Sequence, residues 1–277
     1  MYLKIIIMYL KAYIVKFVNF FMKTDKVSIG SGRRNWFGWD LLDRSIYPTI
    51  TYTSFTNNTK LKPKKYRVIF CSHFIEHIED DVFLNLLDEI KKSSDVNTKI
   101  LFIYPNFEMF YDAFHSDNTE DEFLEITNML YSPFVGMWNN HNVSDNRFNR
   151  ISQMFCDYSN FSFGHPYLIK NNNLTDDKSY HGPAKISEIK LREIFREKNF
   201  KKISNQLKVF CLKDKDFHVF NHMNPWHIED LKKIFIDKNF KIISQDPKEI
   251  FKEFKDDIPK NEILFSEEIS HLIYLKI

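Results

Sequence analysis

The segment VSIGSGRRNWFGWDLLD, residues 27–43, constrains this chain more than any other. Gly30, Gly32 and Gly38 fall inside it, and the whole chain of 277 residues has only 6 glycines. Where glycine is otherwise avoided, a cluster marks backbone that takes positive φ or comes too close to another group for a Cβ. The residues that lead in, KVSIG, read as a short buried strand ending in glycine. A strand that runs straight into GSG, with a helix or turn after it, opens a doubly wound α/β sheet. In such sheets ligands bind beyond the carboxyl ends of the strands.

The downstream sequence continues the pattern. WDLLD, residues 39–43, places an acid after a short apolar run, where a second strand ends and a carboxylate can hold two ribose hydroxyls. ITYTSF alternates like a strand, KYRVIFCSHFIEHIEDD reads as strand then helix, and LNLLDEIKKS is helical. KILFIYPNF is an apolar strand stopped by Pro105. This βαβ rhythm predicts a parallel sheet. Gly32 to Asp43 leaves little room for a first crossover helix, so a clipped connection is expected there, with Gly38 in the turn.

Composition excludes several classes. With 43% hydrophobic residues the chain can bury a full core. Lys+Arg 39 against Asp+Glu 37 leaves a net charge of +2, which gives no electrostatic reason to expect nucleic acid. Cys71, Cys156 and Cys211 are odd in number and lie far apart. They form neither a disulfide framework nor a zinc motif, and they fit a reducing, cytoplasmic setting.

The N-terminal stretch MYLKIIIMYLKAYIVKFVNFFMK is interrupted by Lys4, Lys11, Lys16 and Lys23. The apolar run therefore falls short of the roughly 18 residues a span requires. At about 100° per residue, Lys4, Lys11, Lys16, Asn19 and Lys23 share one arc, and the opposite side is Ile, Leu, Tyr, Phe and Met. An amphipathic helix is expected. It either packs on the domain that follows or serves as a basic interfacial helix touching a membrane or another subunit.

Taken in order, VSIGSG, GWDLLD, YRVIFCSHFIEHI and KILFIYPNF resemble the successive motifs of class I S-adenosylmethionine-dependent methyltransferases. The likeness is to the bacterial group with a glycine loop, a GWxxxD segment and an SxxxEH segment. It covers roughly residues 25–112 and returns at 222–277. It implies a Rossmann-like class I sheet with helices on both faces, an N-terminal amphipathic helix and a large insertion after the fifth strand. The implied division is an N-terminal helix at 1–24, a cofactor-binding α/β core at 25–112, a substrate-specificity insertion at 113–221, and the C-terminal part of the core sheet at 222–277.

The resemblance also implies roles for particular residues. Gly30, Ser31 and Gly32 correspond to the loop beside the methionine moiety of S-adenosylmethionine, and Asp43 to the acid that holds the ribose. Cys71, Ser72 and His73 correspond to positions that line the cofactor at the end of the fourth strand. Two positions depart from the family pattern. TYTSFTNNT offers no acid at the end of the third strand, and Tyr66 stands where an Asp often opens the fourth. The sulfonium makes its methyl group electrophilic, so the protein mainly aligns an acceptor and, for a hydroxyl, removes its proton. Histidine suits that task near neutral pH. His73, after the fourth strand, and His222, before the closing helix, are the expected bases.

HFIEHIED raises a further reading. If a helix began at His73, then His73, Glu76 and His77 at i, i+3 and i+4 would share a face able to ligate a divalent metal, with His222 as a further ligand. The alternative is that Glu76 and His77 cap and orient the helix start; no metal requirement is assigned. In the insertion, Trp138, His141, Arg147, Arg150, Tyr158 and His165 combine aromatic faces with donors, as sites for sugars or anions do. LREIFREKNFKKIS at 191–204 and LKKIFIDKNFKIIS at 231–244 echo each other, each reading as a helix followed by a strand start.

The function expected from these features is methyl transfer to an oxygen of a small molecule or surface-glycan precursor. Alternatives are an inactive methyltransferase-like binding subunit or cofactor sensor and, third, a nicotinamide oxidoreductase.

Overall fold

The computed structural model describes residues 2–22, 24–32, 34–44, 47–62, 65–116, 148, 151–152, 155, 186–208, 222–264 and 270–277. The chain divides into two compact units, one of residues 1–105 and 229–277, the other of residues 106–228.

The first unit is built on one sheet. Its strands are β1 (Lys26–Ile29), β2 (Trp39–Asp43), β3 (Thr51–Tyr52), β4 (Val68–Ser72), β5 (Lys99–Pro105), β6 (Lys241–Ser244) and β7 (Ser270–Lys276). They lie in the order β3-β2-β1-β4-β5-β7-β6. β1 pairs in parallel with β2 and β4, β2 with β3, and β4 with β5. β7 runs antiparallel to both of its neighbours. The short apolar runs read from the sequence as KVSIG, WDLLD, RVIFCS and KILFIYP are all strands. They carry near-continuous apolar side chains because both faces of a parallel sheet are covered.

Alternation along the strands sorts these side chains. Val68, Phe70, Leu101, Ile103, Leu272 and Tyr274 form one core with helices α7 (Pro247–Phe254) and α8 (Lys260–Leu264), through Ile250, Phe254 and Ile263. On the opposite face Phe102 meets Phe235 of α6 (Ile228–Asp237) at 5.0 Å, and Phe83 of α2 (Asp80–Lys92) meets Phe235 at 6.1 Å. Helices therefore cover both faces of this sheet. No helix joins β1 to β2 among the described residues; the connection is a turn in which Gly38 takes φ +75. β3 is shorter than ITYTSF led one to expect, and only its first two paired residues are strand.

At the amino ends of the central strands the charges close on one another. Asp257 is buried and receives Arg67 Nη1 at 2.7 Å, Lys99 Nζ at 2.9 Å and Lys26 Nζ at 3.9 Å, from the starts of β4, β5 and β1. Burial alone would raise the Asp257 carboxyl, but the hydrogen bonds and charges of Lys99 and Arg67 hold it below the usual carboxylate range.

The N-terminal helix α1 (Tyr2–Phe21) docks on this unit by a narrow strip. Ala12 and Val15 are fully buried. The Asn19 side chain donates to Trp36 O at 3.0 Å and Trp39 O at 3.3 Å and accepts from Gly38 N at 2.7 Å. At the margin of the broad apolar side Tyr9 meets Tyr47 at 5.5 Å, while Leu10, Tyr13, Ile14, Phe17, Phe20 and Phe21 stay exposed.

The second unit is helical where it is described: α3 (Phe107–His115), α4 (Glu188–Ile194) and α5 (Phe200–Lys208). Its core is aromatic. Phe114 stacks on Phe195 at 3.9 Å, and Phe155 packs edge-on against Phe107, Phe195 and Phe200. The expectation of a helix and a strand start in both echoed segments fails for the first copy. FKKIS, residues 200–204, lies in α5, whereas the matching FKIIS contributes Lys241–Ser244 to β6. In the first copy the Asn199 side chain accepts from Lys202 N at 3.0 Å and caps a new helix. In the second, Asn239 takes φ +57 and ends a helix, and the chain then pairs with β7.

Candidate functional site

The strand order reverses between β1 and β4: from β1 the chain runs outward to β2 and β3, and from β4 to β5. Such a switch point opens a crevice at the carboxyl ends. Here those ends are Ile29–Gly30 of β1, Asp43 of β2 and Ser72–His73 of β4. Three residues in this neighbourhood adopt left-handed backbone, Gly30 at φ +66, Gly32 at +55 and His73 at +48.

The two glycines of GSG do different work. A Cβ on Gly30 would stand 2.4 Å from the Phe74 ring, which packs down on the loop and meets Phe55 at 4.5 Å. The close approach at Gly30 on its Cβ side is therefore to Phe74. A Cβ on Gly32 would meet nothing within 4 Å among the described residues. The Gly32 N–H donates to Asp43 Oδ2 at 2.8 Å, which joins the glycine loop to the acid ending β2. Ser31 between them is turned inward: it is fully buried, and both its N–H and its hydroxyl donate to Leu42 O, at 3.1 and 3.3 Å. Its side chain and N–H serve the sheet, and its carbonyl accepts from Arg34.

Arg34 is a site residue that sequence reasoning missed. Its Nη1 donates to Ser31 O at 2.9 Å and Gly30 O at 3.4 Å, and its Nη2 to Glu262 Oε2 at 2.8 Å. The guanidinium lies over Trp36 and Phe70, at 5.2 and 5.5 Å from the ring centres. It thus fixes the glycine loop from below. Its place in the loop was the available signal, because an arginine among loop carbonyls is a ready donor. Tyr66, the departure at the start of β4, donates to Asp40 Oδ2 at 3.0 Å, and Lys62 Nζ reaches Asp40 Oδ1 at 2.9 Å. Burial and the Asp40 charge raise the Tyr66 phenol far above its ordinary value, so this pair is a structural lock.

Cys71 and Ser72 are buried in β4. Burial, reinforced by Glu76, raises the Cys71 thiol well above its usual value, leaving it protonated and unreactive. His73 does not start a helix. It follows β4 in left-handed backbone, Ile75–His77 forms a single 3₁₀ turn, and α2 begins only at Asp80. The expected i, i+3, i+4 helical face is thereby replaced by a turn that sets Glu76 between two imidazoles. Glu76 Oε1 is 3.7 Å from His73 Nδ1 and 3.8 Å from His77 Nε2. Glu76 is buried, and its Oε2 has no hydrogen-bond partner among the described residues. Burial pushes its carboxyl up to about 8. Desolvation, then the Arg34 charge and His77, lower the His73 imidazole from its ordinary value, while 38% of its side chain stays exposed. At neutral pH both are uncharged. His73 Nε2 is 3.2 Å from the Ser270 hydroxyl, brought to the same edge by the reversed direction of β7. Ser270, like Phe74, could not be placed here from the sequence.

His222 belongs to the second unit. It is buried, its ring stands edge-on to Phe107 at 5.6 Å, and its carbonyl accepts from Ser204 Oγ at 3.1 Å. Trp138, His141, Arg147, Arg150, Tyr158 and His165 lie outside the described residues.

The sheet and its carboxyl edge define a mixed α/β fold with a candidate ligand site at the β1/β4 switch point. No family model matches the chain, and no curated protein does. Among solved structures it is similar to PKMT2 from Rickettsia typhi in complex with AdoHcy, at 9% identity and a TM-score of 0.36. A second structure of PKMT2 from Rickettsia typhi gives 8% identity and a TM-score of 0.35. Each likeness covers 96% of this chain and 52% of the other, so this chain spans about half the length of the chains it matches.

Proposed function

We propose that this chain is a Rossmann-like class I methyltransferase that uses S-adenosylmethionine to methylate an oxygen on a small molecule or surface-glycan precursor. The observation that carries the reading is the Gly32 N–H to Asp43 pairing across the ends of β1 and β2, beside open space at Gly32. That arrangement fits an adenosyl ligand: the loop leaves room for close approach, and the half-buried carboxylate ending β2 fits a ribose diol. Bound there, the cofactor supplies a methyl group already activated by its sulfonium.

The residues of the chain then have a limited task. His73, neutral at working pH, takes the acceptor hydroxyl's proton at Nε2, the nitrogen facing Ser270. An imidazole with a lowered pKa is a weak base, and placement outweighs base strength when the group that leaves is a neutral thioether. Glu76 Oε1 stands 3.7 Å from Nδ1, and its carboxyl is a neutral acid at that pH. Two features support oxygen as the acceptor. The net charge of +2 gives no footprint for nucleic acid, and CSHF stands after β4 in place of an Asn/Asp-Pro-Pro-Tyr amide-gripping motif.

Titration calorimetry of S-adenosylhomocysteine into the full chain, with NAD as a parallel ligand, tests the reading. Binding of the adenosyl ligand alone at micromolar affinity, about −8 kcal/mol, is expected. Binding of NAD alone would move the chain to the oxidoreductases, and binding of neither would leave a partner subunit built on the same fold.

A further inference from the structure

We infer that α1 is an interfacial helix that lays the first unit on an anionic phospholipid surface. The helix has two sides with separate fates. The strip through Ala12, Val15 and Asn19 is taken up by the domain. Opposite it, at about 100° per residue, an apolar arc of about 120° faces outward. Leu10, Tyr13 and Ile14 are 57%, 62% and 54% exposed, and Phe17, Phe20 and Phe21 are 68%, 82% and 71% exposed. A contiguous apolar face of this kind on a water-soluble surface marks an interaction site.

Charge chooses the occupant. Lys11 and Lys16 are exposed and border the arc on its two sides, and the first 24 residues contain Lys4, Lys11, Lys16 and Lys23 but no Asp or Glu. An apolar face rich in Phe and Tyr, edged on both sides by lysines, matches the boundary between acyl chains and anionic headgroups. Rings enter the acyl boundary, and lysines remain at headgroup level. A second copy of the same face would bring like charges together, with no carboxylate on the helix to answer them. The helix lies on the surface: among the described residues, no helix is long and apolar enough to cross a membrane. The Asn19 hydrogen bonds to the Trp36–Trp39 turn fix which side of the helix is presented.

Co-sedimentation of the full chain with two sets of vesicles tests this, one of phosphatidylcholine with phosphatidylglycerol and one of phosphatidylcholine alone. The chain is expected to pellet with the anionic vesicles, and at least about tenfold less with the neutral ones or at high salt. Lys11→Glu with Lys16→Glu should lower anionic binding about tenfold or more. Phe17→Ser with Phe20→Ser, both outside the buried strip, should abolish it without loss of circular dichroism. No pelleting with either vesicle would overturn the inference. So would a concentration-dependent dimer in sedimentation velocity that the Phe17→Ser, Phe20→Ser variant dissolves while vesicles bind neither form.

Discussion

The two ends of the sheet handle their buried polar groups in opposite ways. At the amino end Asp257 is answered by Lys26, Arg67 and Lys99, and its carboxyl is held low. At the carboxyl end Glu76 is pushed up to about 8, with Oε2 unpartnered among the described residues, and three residues sit in left-handed backbone. Breaking a compensated buried charge costs stability, whereas an uncompensated buried group beside a switch point marks a candidate ligand site. The difference separates a structural end of the sheet from a candidate binding end.

The sharpest break comes at Gly30. Gly30→Val drives a Cβ into Phe74 at positive φ, adding overpacking to backbone strain, and should cost about 4 kcal/mol in urea unfolding. S-adenosylhomocysteine binding should fall with it. Asp257→Ala strips three cations of their common partner and should cost about 3 kcal/mol, since those cations keep some solvent. Calorimetry on this variant should nevertheless give wild-type affinity for S-adenosylhomocysteine. If that affinity dropped while the fold remained, the division between the two ends would be wrong.

The next effect is one of pH. Glu76, raised to about 8, gives stability that is full below the unfolded value of about 4.3 and is lost as pH rises through 8, by about 1.4 kcal/mol per unit. His73, 38% exposed, gives a smaller and solvent-screened rise with pH that ends at its unfolded value of about 6.5. Above about 6.5 only the Glu76 loss remains, amounting to about 2 kcal/mol by pH 8. Urea midpoints of the wild type should therefore fall between pH 6.5 and 8, while Glu76→Gln should stay level. Equal slopes in the two proteins would contradict the buried neutral carboxyl. The smallest stability change belongs to Gly32→Ala, about 1 kcal/mol for a left-handed alanine with open space around it. The same variant should weaken S-adenosylhomocysteine at least tenfold, the reverse of Asp257→Ala.

Much of the sheet was legible because buried parallel strands must be short apolar runs, and VSI, WDLLD, VIFCS and KILFIYP could be little else. Gly32 and Asp43 were legible as candidate positions, one following and one ending a recognisable strand, but the hydrogen bond between them was not. The contacts that decide roles were not. Phe74 on Gly30, Arg34 under the loop, Ser270 beside His73 and the Asp257 knot join residues that only the finished topology brings together. Residues 200–204 and 240–244 show the limit most plainly: FKKIS is helix and FKIIS is strand. Lys202 faces no sheet and Asn199 caps, whereas the stretch with Ile242 finds β7 as a ladder partner. Tertiary pairing outweighs local preference in segments this short.

Amide hydrogen exchange of the full chain, with and without S-adenosylhomocysteine, tests the central claim most directly. The account predicts ligand-dependent protection confined to the carboxyl edge, at residues 29–43 and 71–77, and none at residues 25–27, 65–67 and 97–99 at the amino edge. Protection at the amino edge, or no protection at the carboxyl edge, would contradict it.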